Sequence, residues 1–238
     1  MARKQHLSRL AAPSTWPIKR KGIKWIVKPS PGPHSLQRSI PLIVFMRDIL
    51  KITKTATETK KVLARGLVKI SGKPTRKEKF PIGLFDVIEI PVMKKYWRVL
   101  LNKKGKLDVC EISESEAKLV PVKVMSKKTI NKGKIQLNLS NGWNLLDNKN
   151  YSVNDVLLLD TEKKSVAKHI TLQEGALAYV IGGKHIGRTA KIKKIKETGI
   201  LKKEKLAILE ASPEESWQSP VKQIFVIGTK EPEIKLEQ

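Results

Sequence analysis

The chain has 238 residues, with 48 Lys and Arg against 22 Asp and Glu, for a formal charge of +26. That excess opposes compaction by self-repulsion and calls for an anionic partner, with nucleic acid first among the candidates. The one cysteine, Cys110, excludes an internal disulfide and a zinc ribbon, and no apolar run nears the roughly 18 residues of a membrane helix.

Residues 1–40 contain no Asp or Glu; the first acidic residue is Asp48. They carry Arg3, Lys4, Arg9, Lys19, Arg20, Lys21, Lys24, Lys28 and Arg38, together with the proline-rich stretch "PSPGPHS". No continuous apolar run follows the first charges, so the segment does not read as a secretory signal. By itself it would bury too little to fold, and it reads as a basic arm. Trp16 and Trp25 lie among its cations. They are either anchors packed on the body of the protein or rings that stack on an exposed base or ribose.

From Ile40 the pattern turns helical. Leu42, Phe45, Met46, Ile49 and Leu50 recur at helical spacing, with Pro41 tolerated in the first turn. A second helix is expected over "TATETKKVLARG". There Thr55 and Glu58 form a capping box, Gly66 stops the helix, and Val62 and Leu63 can face inward. Lys60, Lys61 and Arg65 then share the outer side. A strand at 67–71, a turn at "SGKP", a basic loop with Lys73, Arg76, Lys77 and Lys79, and a strand at 86–90 complete a small unit spanning about 40–92.

The middle of the chain reads as short strands: "WRVLLN", "LDVCEI", "LVPVKVM", "IQLNL", "DVLLLD" and "SVAKHITL". Ile135, Leu137 and Leu139 alternate with Gln136 and Asn138, which marks one buried face. "DVLLLD" is apolar throughout and is expected in the sheet interior. The spacing suits a barrel or sandwich, with Lys103, Lys104, Lys106, Lys127, Lys128, Lys132 and Lys134 clustered at turns.

Residues 175–195 read "GALAYVIGGKHIGRTAKIKKI". Alternating apolar residues, the pair Gly182 and Gly183, and a basic run describe a hairpin. Its tip carries Lys184, His185 and Arg188. Thr189, Lys191 and Lys193 lie on the outer face of the second strand, opposite Ala190 and Ile192. It is either a solvated hairpin or a tip that faces a polyanion. "KLAILE" and "QIFVIG" are two further strands, and the polar C-terminal stretch after Gly228 is expected to fray.

Catalytic patterns are missing. The loop "GGKHIGRT" fails both the phosphate-loop and the dinucleotide spacings. His6, His34, His169 and His185 lack metal-ligand spacing, and Asp86 and Glu89 fall on opposite faces of a strand. Cys110 reads as a small core residue. No cofactor and no metal are expected.

Three stretches carry a family resemblance. "TETKKVLARGLVKISGKPTRKEKFPIGLFDVIEI" resembles the S-four type RNA-binding domain. "GALAYVIGGKHIGRTAKIKKI" looks like a KOW motif. "ARKQHLSRLAAPSTWPIKRKGIKWIVKPSPGPH" is similar to the N-terminal arm of the archaeal and eukaryotic small-subunit ribosomal S-four-e family. The resemblance covers nearly the whole chain, and the arm is its most specific piece.

It implies an α+β multi-domain fold: an arm at 1–40, an S-four-type domain at 41–100, a β-rich central domain at 101–173, and a KOW-containing small β-barrel at 174–238. It also implies a non-enzymatic structural constituent of the small ribosomal subunit, in the cytoplasm. The expected partners are ribosomal RNA and neighbouring ribosomal proteins, without a membrane or a small-molecule substrate. The expected phosphate contacts are Arg3, Lys4, Arg9, Lys19, Arg20 and Lys21 in the arm. In the first domain they are Lys60, Lys61, Arg65, Lys73, Arg76 and Lys77, and in the hairpin Lys184, His185, Arg188 and Lys191, with stacking as the alternative role for His185. The rival readings are an RNA-modifying enzyme or its targeting module, and a KOW-type transcription elongation factor.

Overall fold

The computed structural model describes residues 6–130, 133–147, 149–198, 204–212, 215–229 and 231–236. The chain divides into two compact units. One comprises essentially residues 1–100 and 106–118, the other 101–105 and 119–237.

Among the described residues the first unit holds nine short strands: β1 Leu7–Ser8, β2 Trp25–Ile26, β3 Ser39–Pro41, β4 Lys69–Ile70, β5 Lys73–Pro74, β6 Pro81–Gly83, β7 Val87–Ile90, β8 Lys95–Leu101 and β9 Leu107–Glu111. They form two two-stranded ribbons, β1–β2 and β3–β6, and a five-stranded sheet in the order β5-β4-β7-β8-β9. Three short α-helices accompany them: α1 Leu42–Val44, α2 Ala56–Ala64 and α3 Glu114–Ala117.

The expected first helix is mostly not an α-helix. Residues 39–41 pair as β3, α1 lasts one turn, and Phe45–Ile49 continue as a π-helical turn. The reason lies in the sequence itself. Ile40 through Met46 are all buried, so this run has no polar face on which a helix could lie at the surface. Helix α2 forms as expected. Thr55 Oγ1 accepts from the Glu58 N–H, Glu58 accepts in return from the Lys54 and Thr55 N–H groups, and Gly66 follows the helix at φ +71°. Leu63 is buried and Val62 is half-buried.

The "SGKP" turn joins β4 to β5, with Ile70 opposite Lys73. Ser71 and Gly72 take φ of +46° and +76°, the positive-φ pair of a type I′ hairpin. Arg98 on β8 is fully buried and donates to the Glu116 carbonyl at 2.9 Å. Burial lowers its pKa from the usual guanidinium value, against the opposing pull of Glu116. Cys110 is a buried core residue.

The second unit contains two antiparallel five-stranded sheets. One is built from β10 Leu119–Thr129, β11 Ile135–Leu139, β12 Asn144–Leu146, β13 Val156–Asp160 and β14 Ser165–Ile170, in the order β12-β11-β10-β13-β14. The other uses β15 Leu177–Val180, β16 Thr189–Thr198, β17 Glu204–Ser212, β18 Glu215–Pro220 and β19 Ile224–Gly228, in the order β18-β17-β16-β15-β19.

Strand β10 changes partner along its length. Residues 119–123 pair with β13, and residues 124–129 pair with β11 across a bulge at Met125. Pro121 therefore falls where only one edge is paired, which is how an interior strand tolerates a residue without an N–H. The first half of β10 is buried and the second half is exposed, so Lys127 and Lys128 project from a strand and not from a turn as expected. Lys132 lies outside the described residues. Strand β13 is buried and flanked on both sides, as its apolar run demands.

The expected α+β class fits only loosely: among the described residues the chain is mostly β, with few and short helices. The C-terminal stretch also differs from expectation. Ile234 is buried, and the Glu233 N–H donates to the Ile227 carbonyl at 2.9 Å. One apolar side chain in a polar tail is enough to dock it. Strand β18, "ESWQSP", lacks a clean alternation and was not expected.

Lys123 is a buried cation in this unit. Its ammonium donates to the carbonyls of Val221 and Ile224 at 2.7 and 2.8 Å. Replacing it with Met should cost about 2 kcal/mol by stripping two buried carbonyls of a donor, read by urea unfolding. Backbone N–H groups also hold the Glu58 carboxyl below its ordinary pKa. A depressed pKa stabilises above the ordinary carboxylate range. The helicity of α2 should therefore fall as pH drops through the folded value, and circular dichroism would follow that loss.

Candidate nucleic-acid interface

The arm lies along the first unit. The Trp16 indole is 1% exposed, and its Nε1 donates to the Ser39 carbonyl at 2.6 Å. Thr15 donates to the Gln37 carbonyl, and the Leu107 N–H donates to the Thr15 carbonyl at 2.7 Å. Trp25 takes the opposite role. It is 50% exposed, with the Lys24 ammonium 5.2 Å from its ring and the His6 ring 5.6 Å away. Trp16 is thus a packed anchor, whereas Trp25 stands open. Alternation on β2 produces this result, because Ile26 points in and Trp25 points out.

The arm cations fall into two groups. Arg20 is engaged with backbone: its guanidinium donates to the carbonyls of Ala12 and Pro13. Arg9 donates from Nη1 to the Lys19 carbonyl at 3.1 Å. Lys19 and Lys21 are exposed. Arg3 and Lys4 lie outside the described residues.

On α2, Lys60, Lys61 and Arg65 are exposed. Lys60 pairs with Glu78 at 3.3 Å, which ties the helix to the basic loop. A Cβ on Gly66 would lie 3.8 Å from Arg76 Nε, so Arg76 sits at the C-terminal end of α2. The fold thereby collects Lys60, Lys61, Arg65, Arg76 and the exposed Lys77 on adjoining elements. Lys73 is set in the β4–β5 hairpin, just after its turn.

In the second unit, the hairpin of residues 175–195 forms from β15 and β16. Leu177 pairs with Lys191 and Tyr179 with Thr189. Gly183 and Gly187 have φ of +88° and +76°. Gly182 does not have a positive φ. A Cβ on Gly187 would meet the Asn102 carbonyl oxygen at 2.5 Å, so a close backbone approach fixes glycine there.

Lys184 is exposed at the tip. His185 stacks on Trp217 of β18, with centroids 4.1 Å apart and planes inclined by 12°. Arg188 lies 3.5 Å from Glu215, an exposed pair of little energetic weight. Lys191 and Lys193 point outward, while Ala190 and Ile192 are buried.

Sequence reasoning missed the extension of this surface along β16. Lys194 and Lys196 are also exposed, and the burial of that strand falls away after Ile192. It also missed two histidine–carboxylate pairs. His34 Nε2 meets Asp86 Oδ2 at 2.9 Å, and His169 Nε2 meets Asp155 Oδ2 at 2.7 Å. Both carboxylates also accept backbone N–H donors, Gly83 for Asp86 and Ser152 and Leu172 for Asp155. They organise loops. No cluster of three or more His, Cys, Asp or Glu side chains suited to a metal occurs among the described residues. No helix among them is long and apolar enough to cross a membrane.

Two family models match the chain: "Ribosomal family S4e" over residues 93–166, and an RS4NT domain over residues 1–37. The "Small ribosomal subunit protein eS4" of Methanosphaera stadtmanae is 39% identical over 99% of this chain and 97% of its own length. The protein of the same name from Methanothermobacter thermautotrophicus is 38% identical with the same coverage. The crystal structure of the 30S ribosomal protein S4e from Thermoplasma acidophilum superposes with a TM-score of 0.70 at 29% identity, covering 84% of this chain and 99% of that one.

The two arm tryptophans can be separated by mutation. Trp16→Ala should cost about 3–5 kcal/mol of stability, because it empties a buried site. Trp25→Ala should stay within about 0.5 kcal/mol, as surface changes do. Chemical denaturation of each variant measures the contrast.

Proposed function

The chain belongs to the ribosomal family S4e, and we propose from that membership that it is a structural constituent of the small ribosomal subunit, bound to ribosomal RNA. The family is a ribosomal one, structural and not enzymatic. The relatives matched along almost their full length carry a ribosomal name, which disfavours the RNA-modification and transcription-elongation readings.

The observation that carries the RNA-binding reading is the placement of charge. The cations of α2 and its neighbouring loop, and those of the β15–β16 hairpin and β16, stand outward on elements whose other faces are buried. The carboxylates of Glu78, Glu215 and Glu210 near them form single pairs and leave most of the excess uncompensated. Phosphates neutralised by such a surface release condensed counterions, which supplies affinity with little sequence preference. A-form RNA hides its major groove, so shape, phosphates, 2′-hydroxyls and unstacked bases are what a protein can grip.

Within this reading, residues 41–100 act as an S-four-type RNA-binding domain and 174–238 as a KOW-type element, joined by the β-rich segment 101–173 and preceded by the arm 1–40. Lys60, Lys61, Arg65, Lys73, Arg76 and Lys77 make phosphate contacts in the first. Lys184, Arg188 and Lys191 do so in the second. His185 is held against Trp217, so its role is to shape the tip. Arg9 and Arg20 hold the fold of the arm as well as lending it charge. The expected surroundings are those of a ribosome: RNA, neighbouring ribosomal proteins and cytoplasm.

The test is a salt titration of binding to small-subunit ribosomal RNA. If six to ten phosphates are contacted, affinity should fall by about 10³–10⁵ between 50 and 200 mM salt, by analogy with duplex DNA. Lys61→Ala with Arg65→Ala should lower the logarithmic salt slope by about two, since each side chain neutralises one phosphate, while urea unfolding stays unchanged. A flat salt profile would count against phosphate contact.

A further inference from the structure

The first unit contains a cavity that, of all the expected phosphate contacts, only Arg9 lines. It is about 430 Å³ in volume, and His6, Arg9, Trp25, Lys28, Arg47 and Lys79 line it together with the apolar residues Ile23, Ile26 and Val27. Its chemistry is uneven in a specific way. Around an exposed indole stand four permanent cations, and no carboxylate lines the wall. Two acids adjoin lining residues in sequence: Asp48 is taken up by Arg47 through two hydrogen bonds of 2.8 and 2.9 Å, and Glu78 pairs with Lys60 at 3.3 Å. Arg9, Lys28 and Lys79 stand with Arg47 around the ring. Arg9 Nε is buried and has no hydrogen-bond partner among the described residues, an unmet donor that an anion would satisfy.

The site is held in place by backbone. Ribbon β1–β2 pairs Ser8 with Trp25 and Leu7 with Ile26. The Arg9 N–H donates to the Lys24 carbonyl at 2.9 Å. Ser30 donates to the Lys79 carbonyl from both its N–H, at 2.8 Å, and its hydroxyl, at 2.9 Å. These bonds bring the arm and the loop that carries Lys79 to one place, although Ser30 and Lys79 are 49 residues apart in sequence. The indole does not fill its own surroundings. It keeps half its surface open, and Lys24 and His6 flank it at more than 5 Å.

An aromatic face with a ring of cations and no acid matches a planar base joined to a phosphate. We propose that this cavity receives one unstacked nucleotide of RNA, its base against Trp25 and its phosphate held by Arg9, Lys28 and Lys79. The proposal rests on the RNA-binding reading above. It adds a specific contact to a surface otherwise built for phosphates. Such a contact selects a bulged or looped nucleotide over a continuous duplex, because only an unstacked base can reach an indole.

The full-length chain can be titrated with three RNA hairpins: one fully paired, one with a single bulged adenosine, and one with an abasic residue at the bulge. Wild type should prefer the bulged hairpin over the other two by roughly 5- to 100-fold, the range of one base–aromatic stack. Trp25→Leu should erase that preference while binding the paired hairpin as wild type does. Trp25→Phe should retain most of it, because a smaller ring still stacks. Thermal unfolding of each variant establishes that the arm is intact.

Equal affinity of wild type for all three hairpins, with salt-dependent binding to small-subunit RNA preserved, would overturn the pocket and leave the RNA-binding reading standing. Failure of wild type to bind any of these RNAs at low salt would overturn both. A polyglutamate peptide that binds with the same dependence on Trp25 would also overturn the nucleotide assignment, because it supplies charge without a base.

Discussion

Positive charge that the fold does not neutralise internally governs this protein. The chain carries 48 basic and 22 acidic side chains, so even complete pairing would leave 26 cations without a partner. Ions of one sign cannot be buried together, and almost all of these are pushed outward. The exceptions are instructive. Arg98 and Lys123 are buried, Arg98 donating to the Glu116 carbonyl and Lys123 to those of Val221 and Ile224. Every other design choice follows from keeping the remaining cations apart, anchored and exposed.

Short antiparallel strands meet that requirement well. A strand sends alternate side chains to opposite faces, so one face can be apolar core while the other carries lysines. On β16, Ala190 and Ile192 are buried while Thr189, Lys191 and Lys193 point out. Helix α2 does the same with a single buried row around Thr59 and Leu63. The β4–β5 hairpin and the capped helix are stabilised locally, by type I′ turn geometry in one case and by a capping box in the other. Neither depends on the charged face for its fold.

The local features were the ones legible in the sequence. The capping box at Thr55 and Glu58, the stop at Gly66, the buried alternation at Leu137 and Leu139, and the face assignment on β16 follow from spacing alone. Features that depend on distant partners were not legible. The run from Ile40 to Met46 has helical spacing, but it is apolar on all sides. Tertiary burial then decided its conformation, giving a strand, one α turn and a π turn. Strand β18 has no alternation of its own to betray it, and its Trp217 finds its partner in the distant His185 ring. Ile234 docks a tail whose composition reads as frayed.

The candidate interface shows the same division. The cation clusters on α2 and at the hairpin tip were readable as charge runs on predicted elements. The joining of α2 to its neighbouring loop depends on contacts such as Lys60 with Glu78. The pocket around Trp25 depends on the pairing of Ser30 with Lys79, which no local pattern encodes. Composition pointed to a polyanionic partner. The fold establishes which cations stand together, and which, like Arg20, are engaged with the arm's own carbonyls.

The most direct measurement is sedimentation of cell extract through a density gradient, with washes of rising salt, followed by detection of this chain in each fraction. The account predicts co-migration with the small ribosomal subunit that survives moderate salt and is lost when the RNA is digested. Absence from those particles, or retention after the RNA has been removed, would contradict it.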